Sequence, residues 1–257
     1  MLRFKSLGSG SSGNATLVEV QGPSPFRLLV DCGFGLKHLK QRLGESGLQP
    51  EDIHAIFITH EHGDHIGCAR ALSLRYKIPV WMSGGTYSAL GSPDFGGLLG
   101  TARDGEAIDL GALQITPFTV PHDAREPLQI SCTDGASKLG ILTDLGHATA
   151  HVMAHLKACD ALLLEFNHDT DMLARSTYPE FLKLRVGGLY GHLSNTAAAQ
   201  IARLLQHQGL KHVVAAHLSA QNNRPELVQN LLALALSCAP DDIIVAKPED
   251  GCRWLHL

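Results

Sequence analysis

Six apolar runs of this chain end, on their carboxyl side, in a residue that ionises or binds metal. They are "HAIFITH" at His60, "LQITPFTVPH" at His122, "KLGILTD" at Asp144, "ALLLEFNH" at His168, "VGGLYGH" at His192 and "HVVAAH" at His217. Such runs read as buried strands separated by helical patterns, so the expected class is α/β. In an open α/β fold the ligand crevice lies beyond the carboxyl ends of the strands. A polar residue leaving the core at one strand end is ordinary, but six of this chemistry point to one converging site. No repeat, low-complexity linker or composition shift divides the chain, so residues 1–257 are expected to form a single domain.

The densest cluster is "FITHEHGDHIG", in which His60, His62, Asp64 and His65 follow the β-branched run "IFIT". Residues two apart in an extended segment point the same way, so His60 and His62 can grip one ion together. Gly63 permits a sharp turn, and a helix over "HIGCARALSLRY" would carry Asp64 and His65 toward a second ion. Imidazole and carboxylate suit zinc, manganese or iron, and a pair of such ions lies about 3.5–4 Å apart. One loop cannot complete two coordination spheres. His122, Asp144 and His217 are the natural suppliers of the rest, with the carboxylate of Asp144 bridging both ions.

The pieces "THEHGDH", "PHDA", "TDLG", "GHLSN" and "HLS", in this order, make the chain resemble the metallo-β-lactamase superfamily. Within it, "GSGSSGN", "LLVDCG", "NHD", "GHLSN" and "HLSAQNNRP" resemble the WalJ/YycJ (VicX) group, and the match spans nearly the whole chain. The resemblance implies an αβ/βα four-layer sandwich with a dinuclear hydrolase centre at the edge of its sheets. It also implies that His60, His62 and His122 hold one ion, Asp64, His65 and His217 the other, and Asp144 both. Relatives with a β-CASP domain carry a large insertion between the aspartate motif and the later histidines. The segment from Asp144 to His217 is too short for one, so no cap domain is expected.

A metal-bridging hydroxide would attack phosphorus or a carbonyl carbon without a side-chain base. Phosphodiester cleavage gains further from a proton donor near the phosphoryl or leaving oxygen, and His192 in "GHLSN" is placed to be one. Ser194 is a good N-cap for the helix that follows, so Ser194 and Asn195 are expected to help hold an anion. His192, Asp64 and Asp144 are therefore the candidate catalytic residues.

The opening "SLGSGSSGNATLVEV" has the spaced glycines of a dinucleotide loop, but a strand follows Gly13 where that motif needs a helix. We read instead a loop between two strands, in which Ser11, Ser12, Gly13 and Asn14 contact substrate phosphate or order the metal loop. Asp31, which ends "LLVD", is expected to orient a ligand histidine through its ring N–H. His168 lies either at the cleft or in hydrogen bonds within its own loop. His147, His151 and His155 read as a solvent-facing stripe with no acidic partner nearby. Asn222, Asn223 and Arg224 are candidates for the rim, and Lys183 and Arg185 for a nucleic-acid backbone.

The formal net charge of -4 supplies no overall field for nucleic acid or membrane. No apolar stretch approaches a membrane span and no signal peptide is evident, so no membrane partner is expected. The six scattered cysteines form no C-x-x-C pair and suit a reducing, cytoplasmic setting. The expected function is a phosphodiesterase dependent on two divalent metal ions (Zn, Mn or Fe), a DNA exonuclease by resemblance, with DNA or a small phosphodiester as partner. A second reading is a small-molecule hydrolase acting on a cyclic phosphate, thioester or lactone. A third, a binding module without chemistry, predicts missing ligands, whereas the set here is complete.

Overall fold

The strands of this protein are apolar on both faces because each sheet is covered twice. In the computed structural model, which describes residues 1–257, Leu28 and Val30 of one strand enter a core between two sheets. Leu29 between them packs outward with Leu39 and Leu43 of a helix. Period-two alternation is thus preserved in space while the sequence reads as an unbroken hydrophobic run.

The first sheet contains β1 (Leu2–Gly8), β2 (Ala15–Val20), β3 (Phe26–Val30), β4 (Ala55–Phe57), β5 (Val80–Ser83) and β6 (Leu99–Ala102). The second contains β7 (Ile108–Asp109), β8 (Gln114–Thr119), β9 (Leu128–Thr133), β10 (Lys138–Leu142), β11 (Ala161–Glu165), β12 (His212–Ala216) and β13 (Ile244–Val245). The last strand, β14 (Leu255–His256), returns to the edge of the first sheet beside β1, giving seven strands in each. Helices α1 (Leu36–Glu45), α2 (Gly63–Ile66), α3 (Ala69–Tyr76) and α4 (Gly84–Ala89) follow strands of the first sheet. Helices α5 (Ala150–Leu156), α6 (Thr170–Arg175), α7 (Glu180–Val186), α8 (Asn195–Leu205) and α9 (Pro225–Leu236) belong to the second. Three cores result. One lies between the sheets, one under α1 and α3, and one under α5, α8 and α9. This is the expected αβ/βα sandwich, and between Asp144 and His217 the chain builds α5 to α8 and no cap domain. No helix is long and apolar enough to cross a membrane.

Strands β3 to β6 run parallel, as do β10 to β13. Their carboxyl ends deliver Asp31 after β3, His60 after β4, Asp144 after β10, Glu165 at the end of β11 and His217 after β12. Asp31, Asp144 and His217 adopt left-handed backbone conformations, with φ of 61°, 53° and 55°. Non-glycine residues there cost about 1–3 kcal/mol each and persist where the surrounding structure over-determines them.

The continuous helix expected over "HIGCARALSLRY" is in fact two, α2 and α3. Gly67 breaks it with φ of 28°, at a point where a Cβ would lie 2.3 Å from the Cys32 carbonyl oxygen. The backbone there closes against the loop after β3.

Leu163 is buried in the core between the sheets, so Leu163→Ala should cost about 2–5 kcal/mol of stability. Leu234 is 79 % exposed, and Leu234→Ala should change it by less than about 0.5 kcal/mol. Urea unfolding followed by circular dichroism checks both.

Candidate metal centre

Three ring nitrogens meet at hydrogen-bond distance from one another. His60 Nε2 lies 3.1 Å from His62 Nδ1, which lies 3.3 Å from His122 Nε2. The outer nitrogens of the two buried rings are already committed. His60 Nδ1 is 3.0 Å from the Thr59 hydroxyl, which is itself 3.0 Å from Asp31, so the hydroxyl donates to the carboxylate and accepts from the ring. His122 Nδ1 donates to the Gly191 carbonyl at 3.0 Å. Both rings therefore turn unprotonated Nε2 atoms inward. Nitrogens bound tetrahedrally at about 2.0–2.1 Å from one ion would be about 3.3 Å apart, close to the separations found.

A second set adjoins the first. His65 donates from Nδ1 to Asp31 at 2.8 Å, and its Nε2 lies 3.6 Å from Asp64 Oδ2 and 2.9 Å from Asp144 Oδ2. The latter oxygen is buried and has no partner other than this ring nitrogen. A ring nitrogen and a carboxylate oxygen at that distance in the interior call for positive charge between them, a proton on the ring in the free chain or a metal ion in its place. His217 Nε2 completes the set 3.4 Å from Asp64 Oδ2. Side chains from both sheets thus offer donor atoms of the type and spacing that divalent ions take, and the residues present fit the group that the sequence implies.

Glu165 was missed in reading the sequence. It lies on the 161/163 face of β11, fully buried, where "ALLLEFNH" looked apolar as far as its final His168. Its carboxylate accepts from the Leu145 and Leu193 backbone N–H groups at 3.1 Å, from His192 Nδ1 at 2.8 Å and from His217 Nδ1 at 3.0 Å. The signal available was an acid embedded in an otherwise apolar strand, since such an acid must be paired.

The electrostatics divide the two sets. Burial, aided by the neighbouring His65 ring, holds His60 well below the ordinary histidine range, and burial also lowers His122 against the pull of Asp144. Burial opposes charge on His217 too, but Asp144 foremost, with Asp64 and Glu165, pushes it up to about 10. Asp144 and Asp31 likewise overcome burial and raise His65 well above its usual value. Burial would raise Glu165, yet His192 and His217 bring it down to about 2. His192, 22 % exposed, is raised because Glu165 outweighs its desolvation.

The remaining sequence candidates are distributed unevenly around this cluster. Gly13 has φ of 146° and no room for a Cβ, which would meet the Gly33 carbonyl and the Phe34 ring at 2.6 Å. Asn14 is buried. Its backbone N–H donates to the Asp64 carbonyl at 2.8 Å, and its side-chain amide approaches Asp64 Oδ2 and His65 Nε2. Ser11 and Ser12 are exposed. Ser194 caps α8 through the Ala197 N–H, but the amide of Asn195 is buried in a reciprocal pair with that of Asn223 and is not free to hold an anion. Asn222 and Asn223 are likewise buried rather than at the rim, while Arg224 is exposed.

His168 is buried, and its Nδ1 has no partner, so the hydrogen bonds expected within its loop are not made by that atom. The stripe of three histidines dissolves. His147 precedes α5 and bonds the Leu189 carbonyl, His155 stacks half-buried on Phe118, and His151 finds the acidic partner Asp104 at 2.8 Å. That partner lies far away in sequence, which is why it went unseen. Lys183 is tied to the Ala174 carbonyl, and Arg185 to Asp123, a residue beside His62 and His122 that sequence reading also passed over.

A family model described as "Beta-lactamase superfamily domain" matches residues 26–218. The chain is similar to exodeoxyribonuclease YycJ of Bacillus anthracis, with 32 % identity over 89 % of this chain and 86 % of that protein. It is also similar to exodeoxyribonuclease WalJ of Streptococcus pneumoniae serotype 2, with 31 % identity over 92 % of this chain and 89 % of that one. Among solved structures, the metallo-beta-lactamase fold protein YhfI from Bacillus subtilis superimposes with a TM-score of 0.73 at 16 % identity, all of both chains being covered. That likeness speaks for the fold.

Two outcomes follow from the geometry. Asp31→Ala removes the acceptor that aligns His65 directly and His60 through Thr59, so metal affinity measured by chelator competition should fall about 10- to 100-fold with secondary structure retained. Because the raised His65 and His217 hold protons at neutral pH, loading with metal at pH 7 should release protons. The number released should decline as pH rises through about 10, where His217 is already neutral. Calorimetry in buffers of different ionisation enthalpy counts them.

Proposed function

The chain belongs to the beta-lactamase superfamily, in the group of the WalJ and YycJ exodeoxyribonucleases, and from that premise we propose that it is a metal-dependent phosphodiesterase that shortens DNA from an end. The observation that carries the reading is the buried Asp144 oxygen, with no partner but the inward Nε2 of His65, beside three convergent histidine nitrogens. In this reading His60, His62 and His122 hold one divalent ion, Asp64, His65 and His217 a second, and Asp144 both. Zinc, manganese and iron suit this nitrogen and oxygen set. Ions bound there would supply Lewis acidity at phosphorus and an ionised water for the attack near neutral pH.

The chain's own groups do the rest. Glu165 accepts the Nδ1 proton of His192, fixing the ring so that Nε2 is left for the cleft. The same carboxylate favours the charged ring, so His192 Nε2–H can donate to a phosphoryl or leaving oxygen. Asn14 locks the loop bearing Asp64 and His65, and in this reading Ser11 and Ser12, exposed on the same β1–β2 loop as Asn14, meet substrate phosphate. The buried, unpaired thiols Cys32, Cys68, Cys132 and Cys159 fit the reducing cytoplasm, and we take residues 1–257 as one catalytic domain.

A second reading, a hydrolase of small cyclic phosphates, thioesters or lactones, is favoured by one observation. Of the two cations proposed for a DNA backbone, Lys183 is tied to the Ala174 carbonyl and Arg185 is held through its Nε by Asp123, which leaves little free positive charge there.

Metal-loaded protein should shorten end-labelled DNA and lose that activity to a chelator. His192→Ala should lower kcat on DNA by about 10²- to 10⁴-fold at unchanged metal content. Turnover of small esters alone, with His192→Ala silent, would favour the second reading.

A further inference from the structure

Helix α7 buries none of its residues, yet it stands beside the metal centre. Between α7 and the turn leading to His192 lies a cavity of about 180 Å³, walled by Asp123, Tyr178, Leu182, Arg185, Val186, Gly191 and His192. Two of its walls touch the proposed ligands. The Gly191 carbonyl receives the His122 Nδ1 proton at 3.0 Å, and Asp123 Oδ1 lies 3.4 Å from His122 Nε2. Whatever fills the cavity therefore sits next to the proposed ligand His122.

The lining has a definite chemistry. Tyr178 offers an aromatic ring and Leu182 and Val186 apolar side chains, while Arg185 supplies a polar edge. Arg185 spends only Nε on Asp123, and its two terminal nitrogens have no hydrogen-bond partner in the chain. An apolar slot with free donors along one side suits a flat heteroaromatic ring with acceptors on its edge. Its size admits one such ring system rather than a stack. Phe181, 72 % exposed, and Tyr190, 62 % exposed, are each next in sequence to a lining residue.

We propose that this cavity is the subsite for one unstacked nucleobase of a DNA chain end, held beside the phosphate that His192 faces. The assignment rests on the nuclease reading above and adds to it that the substrate end is single-stranded or frayed, because a paired, stacked base cannot enter.

The test uses metal-loaded protein and a single-stranded oligonucleotide with phosphorothioate linkages to slow cleavage. The oligonucleotide carries either 2-aminopurine or an abasic residue at the terminal or next position. At one of these positions the fluorescence of 2-aminopurine should change on binding. Tyr178→Ala should weaken Kd about ten-fold, a typical loss for one base–aromatic contact, whereas Tyr178→Phe should not. The abasic oligonucleotide should bind wild type about as weakly, and Tyr178→Ala should then add no further loss. Equal affinity for base-containing and abasic ends, or the same Tyr178→Ala loss on both, would overturn the subsite and leave the nuclease reading standing. Failure of every oligonucleotide to bind wild type would overturn both.

Discussion

The arrangement turns on where the histidine protons are kept. Asp31, Thr59, Glu165 and the Gly191 carbonyl hold Nδ1 protons on the outer side of His60, His65, His122 and His217, and so aim four Nε2 atoms inward. Without positive charge among them, inward lone pairs and the carboxylates of Asp64 and Asp144 would repel one another across a dry interior. The raised His65 and His217 show protons answering that need on one side of the cluster. On the other side burial disfavours protons on His60 and His122. A cation is the species that satisfies both sides together.

Two buried carboxylates, one from each sheet, set this geometry. Asp31 leaves β3 and governs His65 and, through Thr59, His60. Glu165 ends β11 and governs His192 and His217, so one acid links a proposed metal ligand to the proposed proton donor. The left-handed backbone at Asp31, Asp144 and His217 is the cost of turning side chains inward directly after a strand. The two-sheet sandwich can carry that strain because its three cores fix the strand ends independently.

Much of this was legible in the chain. Runs such as "FRLLV" and "ALLLE" announce strands covered on both faces, and the ionisable residues at their ends announce a shared rim. The H-x-H-x-D-H spacing foretells proximity because only one loop is involved. What escaped depends on contacts distant in sequence. Glu165 looked like an interruption of a strand because its partners, Leu145, His192, Leu193 and His217, lie on other elements. Asp104 is more than forty residues from His151, and Asn195 looked available until Asn223 closed on it. Gly67 splits an apparently continuous helix where the chain passes Cys32 of another loop too closely for any side chain to fit.

The cation requirement is tested most directly by native mass spectrometry of the folded chain after loading with manganese or zinc and removal of excess metal. The account predicts two ions on each chain, and one when His60 and His122 are both replaced by glutamine. A folded chain that retains no ion, or whose ion count does not change when those two rings are gone, would contradict it.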